Sequence, residues 1–170
     1  MSITDLIELM KREGTRLAEP VPIAGMPAME FSCLFTDEAV TQEELSVILP
    51  VCHQDIARFW MHARNAHLFH DQTYGQWGLE ILDPLRVANT TAQFYERRKR
   101  DFVSGDIIVG KFFGDSDVLV IRNNPEIDDF GYVYVALPID PRSEWHLAAK
   151  SFEEFLNLFV KSGGDKYWAK

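Results

Sequence analysis

Asp106-Ile-Ile-Val-Gly-Lys-Phe-Phe113, Gly114-Asp-Ser-Asp117 and Val118-Leu-Val-Ile-Arg122 are the stretch on which the fold turns. The outer two segments are apolar runs of strand length, and the four residues between them carry tight-hairpin chemistry. A connection of a few residues cannot make a parallel crossover, so the pair is antiparallel. After a longer loop holding Asn123-Asn124-Pro125, Gly131–Leu137 reads as a third strand. The three runs are apolar at both alternating positions. A sheet with one wet face would alternate, so both faces are expected to be covered.

Upstream, Leu68-Phe69 and Trp77-Gly-Leu-Glu-Ile-Leu82 read as strands with Tyr74-Gly75 turn chemistry between them. Residues 88–102 read as a helix, with Thr91, Tyr95 and Phe102 on one side and the basic run Arg97-Arg98-Lys99-Arg100 spread around it. Thr41-Gln-Glu-Glu44 is a capping box ahead of Leu45, Ile48 and Leu49. Pro50 ends that helix or opens the next, where Ile56, Phe59, Trp60 and Ala63 form a stripe. Ile3, Leu6, Ile7 and Met10 recur at helical spacing and stop near Gly14. Pro20, Pro22 and Pro27 then impose an extended connector. At the other end Ser151-Phe-Glu-Glu154 is a second capping box. The helix behind it carries Phe152, Phe155, Leu156 and Phe159, and stops at Gly163-Gly164. The reading is α+β: a single, mostly antiparallel meander sheet flanked by helices and closed by a C-terminal helix. Residues 1–30 are an N-terminal helix and Pro-rich arm, and residues 31–170 a single domain.

The chain has 170 residues, 46% hydrophobic and 25% charged, so it is globular and long enough to fold without disulfide or metal staples. Its net charge of −9 argues against non-specific nucleic-acid binding and against an anionic membrane surface, and fits a basic protein partner. Cys33 and Cys52 are too few for a disulfide scaffold or a thiolate zinc site. No basic segment followed by an apolar one opens the chain, and no apolar run reaches the ~18 residues of a membrane span. A cytoplasmic location is expected, which makes the sequon Asn89-Thr90-Thr91 a coincidence.

Motifs that carry chemistry are few. Gly105-Asp-Ile-Ile-Val-Gly110-Lys111 has phosphate-loop spacing, but Phe112 stands where Ser or Thr should hold magnesium, and the middle is a strand. His53, His62, His67 and His70 lie close in sequence without the i, i+4 spacing of ligands on one helix face. His62, His67 and His70 straddle a helix-to-strand corner, where convergence would be required for a metal site; none is expected. His53, in the first turn of a helix, is given no role. Asp115-Ser-Asp117 resembles the Asp-x-Asp pair of sugar-nucleotide transferases, but the chain is too short for their nucleotide-binding fold, and hairpin-turn aspartates are expected. No nucleophile elbow, dinucleotide fingerprint or calcium loop occurs. Trp60, Trp77, Trp145 and Trp168 are core or rim residues, with Trp168 in the tail the least expected to be buried.

The order and spacing of several pieces resemble the SUKH superfamily, the Smi/Knr-like domain, from Thr41 to about Val160. These are Glu-Glu-Leu-x-x-x-Leu-Pro50, the helix ending in Phe59-Trp60, and Leu68-Phe69. Gly114-Asp115-Ser-Asp117 before a strand follows, then Trp145 ahead of Ala149-Lys-Ser151-Phe152-Glu-Glu-Phe155-Leu156. The N-terminal forty residues have no counterpart, and the family's glycine-rich segment is here Ala63-Arg-Asn-Ala66. The resemblance implies an α+β domain that works by binding proteins. In bacteria many members look like immunity proteins that neutralise a toxin, often a nuclease, and fungal relatives look like regulators of cell-wall synthesis. It brings no catalytic residues.

The leading expectation is thus a non-enzymatic immunity protein that occludes a basic toxin, with no cofactor and no metal. A regulatory or scaffold domain is the alternative, and a small metal-dependent hydrolase around His62, His67 and His70 a remote one. Loops of a meander alternate between the ends of its sheet. The 101–106 lead-in and the 122–131 loop share one end, where acids and the basic run balance. The 114–117 turn and the 138–146 loop share the other. That end brings Asp115, Asp117, Asp140 and Glu144 together against Arg142 alone, with Trp145 as an aromatic anchor, and is the expected partner-binding surface.

Overall fold

A computed structural model describes residues 1–36, 38–137 and 139–170. The helices are α1 (Ile3–Glu13), α2 (Gln42–Ile48), α3 (Gln54–Trp60), α4 (Pro84–Arg97) and α5 (Phe152–Lys161). A small hairpin of β1 (Val21–Ile23) and β2 (Met26–Met29) turns at Gly25, so the proline-rich arm is partly paired. The seven remaining strands are β3 (Phe31–Phe35), β4 (Ala66–Asp71), β5 (Leu79–Ile81), β6 (Asp106–Phe112), β7 (Val118–Arg122), β8 (Val133–Ala136) and β9 (His146–Ala149). They form one antiparallel sheet in sequence order, a full meander. The α+β reading with a closing helix holds, and the meander extends by one strand on each side of those read from the sequence.

Caps explain the helix limits. Asp83 accepts from the Arg86 N–H and Pro84 takes the first helical position, so α4 begins four residues before the apolar periodicity suggests. Thr41 and Ser151 each accept from the N–H three residues on. Their acidic partners do not complete the expected box: Glu44 turns to Arg64, and Glu154 accepts from the Lys150 N–H. Ser2 and Asp5 form the complete box, at α1.

Both sheet faces are covered at β6 and β7, where every residue but Lys111 is buried. Phe35 meets Phe59 of α3, and Phe112 meets Trp168, which lies against Phe155 and Phe159 of α5. Helix α1 packs on α3 and α5 through Ile3, Leu6, Ile7 and Met10, all at most 2% exposed, so the N-terminal helix belongs to the main core. The opposite face carries α4, tied down by the Arg86–Glu80 ion pair and by Thr91 Oγ1 accepting from the Ile108 N–H at 2.9 Å. No helix among the described residues is long and apolar enough to cross a membrane.

A bulge in β4 shapes one edge. Phe69 has φ +50, a left-handed conformation that bulky residues rarely adopt. It puts Leu68 and Phe69 both inside, and His67 and His70 both at the surface. Gly164 makes the room: a Cβ there would lie 2.4 Å from Cβ and Cγ of Phe69.

Candidate functional site

The acidic residues singled out from the sequence fall into two separately bonded groups. Asp115 and Asp117 sit in the β6–β7 turn, where both pair with Lys166 of the C-terminal segment. The Lys166 ammonium also lies 5.6 Å from the Trp77 ring centroid and 5.4 Å from that of Phe112. Burial and the Asp115 charge raise the Asp117 pKa above the ordinary aspartate value, against the pull of Lys166. The Asp-Ser-Asp pair therefore clasps the tail. Trp168, expected to be exposed, is half-buried among Phe112, Phe155 and Phe159 because that clasp lays the tail over the sheet.

Asp140, Glu144 and Trp145 belong to a different group. Pro138, the first residue of the loop expected to carry them, lies outside the described residues. The rest of the loop folds back over the sheet rather than extending from its end. Arg98 donates to the carbonyls of Leu137 and Asp140 and to the Asp101 carboxylate. Arg142 donates to the Asp101 carbonyl and to both oxygens of Asp106. Trp145, 6% exposed, packs on Phe102 at 5.1 Å under the Arg142 guanidinium at 4.9 Å. It is a core residue, not an exposed anchor. Glu144 is exposed, whereas Asp140 is half-buried. No hydrogen bond, ion pair or ring contact links this group to Asp115 or Asp117 among the described residues.

Ion pairing also changes the opposite end, which looked balanced by sign. Arg122, with its side chain 10% exposed, is consumed by Asp106 and Asp129 at 2.6 and 3.1 Å. Burial disfavours its charge, but the hydrogen bonds to Asp106 and Asp129 outweigh that and raise its pKa. Arg98 is consumed by Asp101 at 2.8 Å. Glu126 and Asp128, exposed on the β7–β8 loop, have no ion pair among the described residues.

Beside them runs a groove of about 430 Å³, floored by Leu49, Pro50, Val51 and Ile107 and walled by Ser104-Gly105 and by Asn123–Glu126. Val51 and nearby Val47 of α2 are 47% and 81% exposed. One wall is tied to the segment between α2 and α3. The buried Asn123 accepts from the His53 N–H at 2.9 Å and donates to the Val51 carbonyl at 2.7 Å. His53 caps α3, stacks edge-on to Phe130 at 4.7 Å and fills the space a side chain at Gly131 would need. His53 thus has the structural role that the sequence reading did not give it. An Asx turn, Asn124 Oδ1 accepting from the Glu126 N–H, sets the rim. Nothing local in the sequence shows this groove, because Asn123 on its wall is some seventy residues from the Val51 and His53 it bonds at the floor.

The remaining titratable groups are dispersed. His67 and His70 flank Phe113 at 5.1 and 4.4 Å, while His62 pairs with Thr4 Oγ1 elsewhere. The three histidines do not converge, and among the described residues no group of three or more His, Cys, Asp or Glu is placed to hold a metal ion. Burial pushes the Cys33 thiol up to about 11 and that of Cys52 up to about 12, which removes thiolate character at neutral pH. Gly105–Lys111 runs from a turn into strand β6, and the next element is strand β7 rather than a helix that could receive a phosphate.

No family model matches the chain, and a search of curated proteins finds no match.

Proposed function

We propose that this chain is a non-enzymatic protein-binding domain of immunity type, which binds and occludes a basic partner such as a nuclease-type toxin. The groove beside Pro50-Val51 carries the reading: an apolar floor, the Glu126 carboxylate on one rim with Asp128 two residues further along the same loop, neither in an ion pair among the described residues, and a wall tied down by Asn123 to Val51 and His53. Apolar contact at the centre of an interface contributes most of the affinity, and charges at the rim mainly speed encounter with an oppositely charged partner. A preorganised surface loses little entropy on binding. The net charge of −9 adds a long-range field of the same sign. The likeness to Smi/Knr-like domains supports the same class.

The test is co-expression with the product of the neighbouring gene, capture on the tagged chain, and association kinetics at several salt concentrations. Glu126→Lys with Asp128→Lys should slow association about tenfold at low salt and flatten its salt dependence. A captured partner whose on-rate ignores the double substitution would place the interface elsewhere. Failure to capture any partner from that locus would count against the immunity reading.

A further inference from the structure

We propose that the cleft between the N-terminal arm and the C-terminal turn binds a free aromatic amino acid. This cleft lies at the β6–β7-turn end of the sheet, opposite the groove, and does not depend on the function proposed above. Its volume is about 590 Å³, within the range of small-ligand sites. Leu17, Val21, Met29 and Phe31 form one wall and Trp77 another. The arm and the turn meet at the base, where a Cβ on Gly163 would lie 3.6 Å from the Ala18 Cβ. The Trp77 ring is fixed by its Nε1–H donating to the Gly164 carbonyl at 3.0 Å, with Lys166 over the ring. Two aromatic rings and a thioether give a flat apolar group more contact than an aliphatic one.

The polar lining selects the headgroup. The one Ser162 hydroxyl hydrogen is shared between the carbonyls of Phe159 and Asp165, at 3.0 and 3.1 Å, and the Asp165 carboxylate is taken by Lys170. Two charges lining the cleft have no ion pair among the described residues: Glu19 and Lys161. Their opposite signs complement an ammonium and a carboxylate carried by one molecule. A ligand with only one of those groups leaves the other charge without a partner.

Calorimetric titration of the full chain with L-phenylalanine, 3-phenylpropionate and phenethylamine separates these requirements. L-Phenylalanine should bind saturably at or below about 1 mM, quenching Trp fluorescence. Each single-charge analogue should bind about 5-fold more weakly. Lys161→Glu should weaken L-phenylalanine and 3-phenylpropionate but spare phenethylamine, and Glu19→Lys should do the reverse. Both positions are exposed, so circular dichroism should show native folding in each variant. Absence of saturation by L-phenylalanine, equal affinity for the three compounds, or indifference to both charge reversals would overturn the proposal.

Discussion

Asp106 Oδ1 lies 2.6 Å from Arg122 Nη1 and 3.2 Å from Arg142 Nη2, so one buried carboxylate joins strand β7 to the loop that follows β8. Its side chain is 1% exposed and faces two guanidinium groups 10% and 27% exposed. Removing one member of a buried ionic set leaves the others charged without compensation. Asp106→Ala should therefore cost about 3–5 kcal/mol in urea denaturation. An unchanged midpoint would mean that the loop is held by its apolar contacts and by the Arg98 and Asp101 hydrogen bonds without Asp106.

Gly164→Ala tests the accommodation of the β4 bulge. Gly164 has φ +81, and the added methyl would meet Phe69, itself strained at φ +50, at 2.4 Å. Overpacking and left-handed strain together should destabilise by about 2–4 kcal/mol. Thermal unfolding checks this, and a wild-type Tm would show that the bulge can relax without cost.

What was legible in the sequence was local. The hairpin at Gly114–Asp117, the N-caps at Thr41 and Ser151, and the stripes of α1 and α5 each depend on residues within a few positions of one another. Strand β9 escaped because His146-Leu-Ala-Ala149 is short and lacks β-branched residues, and becomes a strand only by pairing with β8. The pairing of the acids escaped for a related reason. Counting charges by loop assigns Arg98, Arg122 and Lys166 to wherever the chain passes, whereas ion pairs reach 49 residues between Lys166 and Asp117 and 16 between Arg122 and Asp106. At the end of the sheet that holds Asp106 and Arg122, those pairings leave Glu126 and Asp128 without an ion pair among the described residues. The groove beside them needed Asn123 to meet Val51 and His53, which no sequence period encodes.

Phe155 is fully buried, stacked between Phe152 and Phe159 at 6.1 and 5.5 Å and against Trp168 at 5.8 Å. Phe155→Ala should cost about 3–5 kcal/mol, enough to leave a domain of ordinary stability marginal. A retained denaturation midpoint would show that α5 contributes little to the core.

Asp117 should make stability fall as pH rises. Its folded-state pKa is raised by burial and by Asp115, so the folded chain holds that proton more tightly than the unfolded chain does. The resulting contribution is complete below the ordinary aspartate pKa of 3.8 and disappears as pH rises through the higher folded value. Asp117→Asn removes this titration. The stability difference, variant minus wild type, should therefore rise as pH climbs above about 4 and level off once pH exceeds the raised folded value. A difference independent of pH would mean that Lys166 offsets the burial fully.

Asp115→Lys with Asp117→Lys and Glu126→Lys with Asp128→Lys introduce the same charge change at opposite ends of the sheet, and should behave differently. At the first pair the new ammonium groups face Lys166, which now loses both carboxylates while remaining between Trp77 and Phe112. Like charges there should loosen the C-terminal segment, freeing Trp168 from Phe112 and costing about 1–2 kcal/mol. At the second pair neither carboxylate has an ion pair among the described residues, and both are exposed, so stability should change by less than about 0.5 kcal/mol. Chemical denaturation with tryptophan fluorescence distinguishes the two, since release of Trp168 should shift its emission to the red in the first variant alone. Equal stability losses in both variants would mean that global charge, rather than the Lys166 clasp, governs the response. A loss confined to the first variant would separate the acids that hold the fold from those left free to meet a partner.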